Sequence, residues 1–415
     1  MIQTKNFSGK EFNFKTDYHI PIDIAKNFPN ILLDEQCLLI SIVGASVGNV
    51  GHYTSNITAL LGGAICRVVL LNKNLYPFIY YYLKSPTGQK EIKKNIKSTA
   101  QETITVQNVR EICIPLPPLY IQDQIVQKLE QLSESKESLL SQAEYQFNYT
   151  KKMREALLQE AIRGELVSQN EFDEPASVLL EKIKAEKERL IKEKVIKKSK
   201  YLPVITDEEK PYELPDGWEW VRLGELVSKI GSGSTPKGGS KVYKEYGIKF
   251  IRSQNVYNDG LRLDDIAFIS EETHEKMKGT QVFPNDLLLN ITGGSIGRCS
   301  LISKDFDTAN VNQHVSIIRL IKGLNPRYFH KALISTYIQT LIMDVQVGMS
   351  REGLSKEKIE LFPVPLPPLA EQDRIVTKLD ELMVHCDLLE VKAKEIKNHT
   401  TKLFESSLKE AFMPE

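Results

Sequence analysis

Side chains that read the edges of nucleic-acid bases are Arg, Lys, Asn, Gln, Ser and Thr held on rigid loops, because these groups present directional donors and acceptors. Residues 231–314 concentrate them. GSGSTPKGGSK carries Ser232, Ser234, Thr235 and Lys237, and IRSQNV carries Arg252, Ser253, Gln254 and Asn255. NITGGSIGR adds Asn290, Thr292, Ser295 and Arg298, and NVNQH adds Asn310, Asn312, Gln313 and His314. Far upstream, KEIKKNIKSTAQ places Lys90, Lys93, Lys94 and Lys97 where they could meet phosphates. Ordinary turn polarity or a solvated helix face is the plain alternative for each group.

Catalytic patterns are weak by comparison. In GSGSTPKGGSK, Gly233 and Gly238 have the spacing of a phosphate loop, but Gly239 stands where Lys is required. NPRY (Asn325 to Tyr328) approximates the NPPY motif of amino-methyltransferases, yet Arg327 replaces Pro and no Gly-rich cofactor turn precedes it. The seven histidines do not pair at metal-ligand spacings, so no metal site is expected. Five cysteines without a CxxC pair point away from a disulfide framework and towards a reducing cytoplasm. Binding, not catalysis, is the expected role.

The elements that must position these loops come as a repeat. PLPPLYIQDQIVQKLEQL, from Pro115, returns as PLPPLAEQDRIVTKLDEL, from Pro365. LLISIVGASVG (Leu38 to Gly48) returns as LLLNITGGSIG (Leu287 to Gly297), and LLQEA (Leu157 to Ala161) as SLKEA (Ser407 to Ala411). Two copies of one unit, each ending in a long helix, account for all of this. Short apolar, β-branched runs such as KFIRSQNV, LLLNITGG and HVSIIRLI read as strands. KNLYPFIYYYLKS and LNPRYFHKALIS read as short helices opened by Pro. PLPPL reads as an extended lead-in to each long helix. Ile125, Leu129, Leu132, Leu139 and Leu157 fall at coiled-coil spacing, as do Ile375, Leu379, Leu382, Cys386, Leu389, Ile396 and Leu403. The two stripes are expected to bury against each other as an antiparallel pair.

At 415 residues the chain is too long for one ordinary core. The expected division is 1–117, a β-rich domain; 118–165, a long helix; 166–210, a charged helix, read as a solvated face, and a Pro-rich linker; 211–367, a second β-rich domain; and 368–415, the second long helix. The fold class is therefore α/β, mixed α+β, with two β-rich domains separated by a long antiparallel helical pair. Lys and Arg total 54, as do Asp and Glu, so the net charge is zero, which excludes only a protein that coats polyanions along its whole length. The opening MIQTKNFSGKEFNFK has no apolar core of a signal peptide, and no run of eighteen apolar residues predicts a membrane span.

With these residues in hand, the chain resembles the DNA specificity subunit of type I restriction-modification systems. PLPPLAEQDRIV before a long helix, repeated after a second domain, carries the resemblance, together with ELPDGWEWVRLGEL, IRSQNV, LLLNITGGSIG and GELVSQNEFDEPASVLLEKIKAEKERL. The resemblance implies two target-recognition domains, each reading half of a bipartite, asymmetric site on double-stranded DNA. It implies two methyltransferase subunits docked on the helices, and restriction subunits joining them. S-adenosylmethionine, ATP and magnesium would then serve those partners, and this chain would hold no cofactor. In the family the first recognition domain opens with a segment like ELPDGWEW. Leu287 lies 75 residues after Tyr212, whereas only 37 residues precede Leu38, so a truncated first domain is expected. A scaffold without a DNA role, or a partial or silent gene product, is the alternative.

A helix over 119–163 spans roughly 65–70 Å at about 1.5 Å per residue, the length of about 20 base pairs at about 3.4 Å each. Helix length is thus expected to fix the unread gap between half-sites. Deleting a few residues within Gln127–Leu157 should change the spacer and leave both half-sites as they were. Methylome sequencing of the deletion strain reads both, and an altered half-site with an unaltered spacer would count against the ruler.

Overall fold

The computed structural model describes residues 1–7, 12–13, 18–54, 58–96, 102–198, 201–347 and 353–413. It divides into two compact units, Met1–Phe147 with Val391–Glu415, and Asn148–Glu390. Two long helices, Leu119–Arg163 and Leu369–Ala411, each contribute to both units. The fold is mixed α/β, and the sequence repeat is a structural one. Each unit orders its elements as sheet, helix pair, short helix, extended Pro-rich lead-in and long helix.

In the first unit, β1 (Cys37–Ser41) pairs antiparallel with β2 (Val50–Tyr53) on one side and β3 (Ile65–Val68) on the other. All five residues of CLLIS are buried because both faces of β1 are covered. Leu38 and Ile40 face Tyr76, Phe78 and Tyr82, whereas Cys37 and Leu39 face Phe7, Leu33 and Tyr53. The helices α1 (Tyr76–Lys84) and α2 (Pro86–Lys94) meet at Ser85, whose hydroxyl accepts from the Gly88 N–H as an N-cap. Leu129 is buried in the same cluster as Phe404, Leu408 and Phe412, with Ile125 and Leu132 packed against it. The Lys136 ammonium lies over the Phe404 ring at 4.8 Å, and that of Lys394 over Phe147 at 5.9 Å. The paired positions rise along one helix as they fall along the other, so the segments run antiparallel.

In the second unit, β4 (Glu219–Arg222) pairs with the lead-in strand Pro363–Leu366. Two four-stranded sheets follow. One contains β5 (Val227–Ser232), β8 (Leu287–Asn290), β9 (Cys299–Leu301) and β11 (Val315–Leu320), in the order β9-β8-β11-β5, all antiparallel. The other contains β6 (Ile248–Ile251), β7 (Ala267–Ile269), the short strand Gln281–Val282, and β10 (Ala309–Val311), with β6 and β10 parallel. Leu288, Val315 and Ile317 of the first sheet meet Ile251 and Val311 of the second and Val256 of the ribbon that follows Ile251. The opposite face, Leu287, Leu289 and Ile318, packs on the helices Pro326–Leu333 and Thr336–Val347 and on Leu158, Ala161, Ile375 and Leu379 of the long helices. Arg154 of the first long helix donates to Asp387 (2.5 Å) and Glu390 (3.0 Å) of the second.

Three expectations are corrected. Leu139 and Ile396 are not seam residues: they are 43% and 38% exposed, while Ala143, Ala393, Thr150 and Cys386 are buried. Cys386 is buried as expected and Leu403 is exposed, while Ala143, Thr150 and Ala393 are small or polar, and a pattern of large apolar residues does not register them. Leu382 and Leu389 are half-buried, and Ile375 and Leu379 are fully buried. The charged helix Ala176–Lys192 is more than a solvated face, because Ala176, Leu179 and Ile183 form a stripe against Trp218 and Val221. Residues 203–209 are a strap and not a free linker. The buried Arg222 guanidinium donates to the carbonyls of Pro203, Val204 and Leu361 and to both carboxylate oxygens of Glu209, each at 2.7 Å.

The hydrogen bonds from Arg222 hold the Glu209 carboxyl down at about 2, against an ordinary 4.5. A depressed acid stabilises the fold above its unfolded value and loses that contribution as pH falls through the folded one. Glu209→Gln should therefore lower Tm at pH 7, with the difference from the parent shrinking as pH drops below about 4.5. Thermal melts across pH check this, and a gap independent of pH would disprove it.

Candidate nucleic-acid interface

The topology of the second unit gathers the polar loops at one end. The C-terminal ends of β5, β6, β8 and β10 and the N-terminal ends of β9 and β11 lie together, as their pairings require. Ser234 N–H donates to Val311 O, Asn312 N–H to Ile251 O, and Ile291 N–H to His314 O, binding four loops into one platform.

Side chains complete it. Thr235 donates its hydroxyl to Gln313 Oε1. Gln313 Nε2 contacts His314 Nε2 at 3.2 Å, and His314 Nδ1 contacts Thr292 Oγ1 at 2.6 Å. The amide nitrogen of Gln313 can only donate, so His314 Nε2 accepts and Nδ1 carries the proton. That proton goes to Thr292 Oγ1, which leaves the Thr292 O–H and the second Gln313 N–H as donors. The imidazole is thereby oriented by Thr292 of another loop and by its neighbour Gln313, which Thr235 holds from a third.

A second group flanks the first. Arg252 Nη2 donates to Asp265 O at 2.6 Å, and Gln254 Nε2 to Asp265 Oδ2 at 2.6 Å. Arg252 Nε is buried and makes no hydrogen bond. Arg298 stacks over the Tyr257 ring at 4.5 Å, and Arg262 lies 5.1 Å from the same ring. A guanidinium held flat by an aromatic face keeps its edge donors for a ligand. Tyr257 and Asp265 were not among the sequence candidates. Their roles depend on Arg298 and Arg252, which only the fold brings near them.

The remaining candidates sort by exposure. Ser232, Ser234, Thr235, Lys237, Gln254 and Gln313 are exposed, and Ser253, Thr292, Arg298 and His314 are half-buried. Asn255 is a turn brace and not a reader: it is buried, and its amide bonds Arg252 N and Arg262 O. Asn290 is also buried, donating to Ser253 O and Ser295 Oγ. Lys93 and Lys94 lie in the first unit at the C-terminal turn of α2, where Lys94 pairs with Glu91. They do not join a loop platform. Lys97 lies outside the described residues.

The first unit keeps the scaffold of this platform and not its side chains. The loops after β1 and β8 match residue for residue: Gln89 Nε2 donates to Gly48 O and Leu83 O as Gln339 Nε2 does to Gly297 O and Leu333 O. Ser41 bonds Ser46 as Asn290 bonds Ser295. Yet Gly62, Gly63 and Ala64 stand where Asn312, Gln313 and His314 are, and Val43 stands for Thr292.

The model of the type I restriction modification DNA specificity domain matches residues 4–145 and 215–398. The chain belongs to that family. Among curated members, the EcoAI specificity subunit of Escherichia coli is 32% identical over 59% of this chain and 42% of its own length. The EcoEI specificity subunit of Escherichia coli is 29% identical over 57% of this chain and 41% of its own length. The alignments thus span less than half of these two relatives. The EcoKI specificity subunit of Escherichia coli strain K12 is 23% identical over 100% of this chain and 82% of its own length. The same fold occurs in the HsdS subunit from Thermoanaerobacter tengcongensis, with a TM-score of 0.51 at 18% identity, covering 92% of this chain and 81% of the other. It also occurs in a chain from work on complex assembly and conformational transition of the type I R-M system, with a TM-score of 0.59 at 19% identity, covering 90% of this chain and 81% of that one. Among the described residues, no three His, Cys, Asp or Glu side chains converge as a metal site, and no helix is long and apolar enough to cross a membrane.

Gly233 holds the platform together. A Cβ there would sit 2.0 Å from the Val311 carbonyl oxygen, whereas one at Gly231 would meet nothing within 4 Å. Gly233→Ala should cost about 1–3 kcal/mol and loosen the loop, while Gly231→Ala should be near neutral. Denaturant titration and limited proteolysis of both variants compare them, and equal behaviour would refute the close-approach argument.

Proposed function

We propose that the second unit reads one half of a bipartite, asymmetric site on double-stranded DNA, and that the chain addresses methyltransferase and restriction subunits to that site. The observation that carries this reading is the Thr235–Gln313–His314–Thr292 chain, which joins three loops at one sheet end, where the loops of Arg252 and Arg298 also lie. Fixed donors on rigid loops are what major-groove acceptors require, and guanidiniums suit guanine edges or phosphates. Lys237 at the rim supplies charge for the backbone. Lys93, Lys94 and Lys97 remain proposed phosphate contacts of the first unit, which would address the other half-site. In this reading the chain is non-catalytic and works in the cytoplasm. S-adenosylmethionine, ATP and magnesium belong to the partner subunits, and this chain's residues only bind and orient the duplex. Family membership and the EcoAI and EcoEI similarities support it.

The test is duplex binding by the purified chain over a randomised library at low and high salt. Enrichment of a defined motif and a steep fall of affinity with salt are expected. Gln313→Ala and Thr292→Ala should each weaken the selected duplex by about 1–3 kcal/mol, with little effect on random duplex. Absence of binding, or equal losses on both duplexes, would overturn the reading in favour of a protein scaffold.

A further inference from the structure

The two units differ at a strand edge. In the second unit β11 lies between β8 and β5. In the first unit the matching strand, β3, pairs with β1 and, among the described residues, has no strand on its other side. The correspondence is fixed by register: Leu38 faces Val68 and Leu39 faces Arg67, as Leu287 faces Ile318 and Leu288 faces Ile317. Three residues beyond Val68, Leu71 is 109% exposed, whereas its counterpart Ile321 is 2% exposed and donates its N–H to Leu226 O.

A second edge is open beside it. Pro363–Leu366 is fully buried under β4. The equivalent stretch Cys113–Leu116 is in no described ladder, and Leu116 is 58% exposed where Leu366 is 0%. Both covers in the second unit come from one short segment, Trp218–Ser232. It forms β4, a 3₁₀ turn over Leu223–Glu225, and β5.

We infer that the first unit takes up, from a second polypeptide, a strand–turn–strand segment with the chemistry of Trp218–Ser232, laid antiparallel on β3 and on Cys113–Leu116. The main chain is ready for it. Ile42 N–H donates to Ala64 O, so the groups of Ala64, Cys66 and Val68 turn towards β1 and those of Arg67 and Val69 turn outwards. In the second unit the outward counterpart Val315 O accepts from Gly233 N–H, the next residue after β5. Strand addition of this kind draws affinity from the ladder and selectivity from alternate side chains. The incoming segment needs a Trp and alternating Val, Leu and Ile to cover Val69, Leu71 and Leu116. It extends the three-stranded sheet to four and removes an edge that otherwise invites non-specific pairing. The same segment of a second copy is a poor donor. Arg222 clamps it to Glu209, and Trp218 Nε1 donates to Glu371 at 3.0 Å, so it would have to be torn from its own unit.

The probe is a labelled synthetic peptide of residues 212–234 added to the full chain. Saturable binding is expected, with hydrogen-exchange protection appearing at Arg67–Leu71 and Cys113–Leu116, and a scrambled peptide should not bind. Val69→Pro removes one outward N–H at an exposed position beyond the β1 pairing, where an edge proline is tolerated; it should weaken binding about tenfold or more. Leu116→Asp should weaken it through the other strand. Lack of saturable binding overturns the inference, as does binding that ignores Val69→Pro, which would mean displacement of the native segment in the second unit. Self-association of the chain abolished by Val69→Pro would make the occupant a second copy and overturn the inference as stated.

Discussion

The apolar seam between the two long helices is the constraint on which both units depend. A single amphipathic helix of this length cannot hide its stripe alone, and a three- or four-stranded sheet cannot close its inner face alone. In the first unit Leu129 of one helix and Phe404 and Leu408 of the other enter the cluster that holds Leu38, Ile40 and the α1 aromatics. In the second, Leu158, Ala161, Ile375 and Leu379 close over Leu287, Leu289 and Ile318. Helix pair and sheet therefore share one core in each unit, and disturbing the seam disturbs the sheet that carries the loops.

Much of this was legible because it rests on local pattern. Near-continuous apolar runs such as CLLIS mark strands buried on both faces, and proline marks the starts of α1 and of the helix at Pro326. The repeat itself announces two units. What escaped the sequence is whatever depends on long-range register. Thr235, Thr292 and His314 lie on separate loops and meet only because β5, β8 and β11 pair as they do. Asn255 has the composition of a reader and the environment of a brace, and composition alone does not separate the two. Arg222 is one arginine in a strand-like run, and its clamp on the strap is visible only once Glu209 folds back over it.

The twin loops separate scaffold from recognition. Positive-φ glycines at Gly48 and Gly297, the glutamine bridges to their carbonyls, and the Ser46 and Ser295 contacts are common to both units. These groups are buried or half-buried, and they set backbone shape. Of the positions that differ, Gly63 and Ala64 against Gln313 and His314, and Val43 against Thr292, are exposed or half-buried, whereas Gly62 and Asn312 are buried. Substitution at Gly63 costs the fold little, since a Cβ there would meet nothing within 4 Å, and the ladder bonds of Ile42 to Ala64 and of Ile291 to His314 use backbone atoms alone. One scaffold can thus carry unrelated reading surfaces.

The direction of the hydrogen bonds in the second unit adds a chemical consequence. Because Gln313 Nε2 donates to His314 Nε2, the ring turns its Nδ1–H to Thr292 Oγ1, and the chain ends in the hydroxyl proton of Thr292. The donors this chain leaves for a ligand are therefore the Thr292 O–H and an amide N–H of Gln313, with the guanidinium edge of Arg298 beside them. A donor surface meeting acceptors is complementary to the purine N7 and O6 positions and to phosphate oxygens, and poorly matched to exocyclic amines. The glycines and alanine at the matching end of the first unit offer no such array, so any recognition there must be built from other residues.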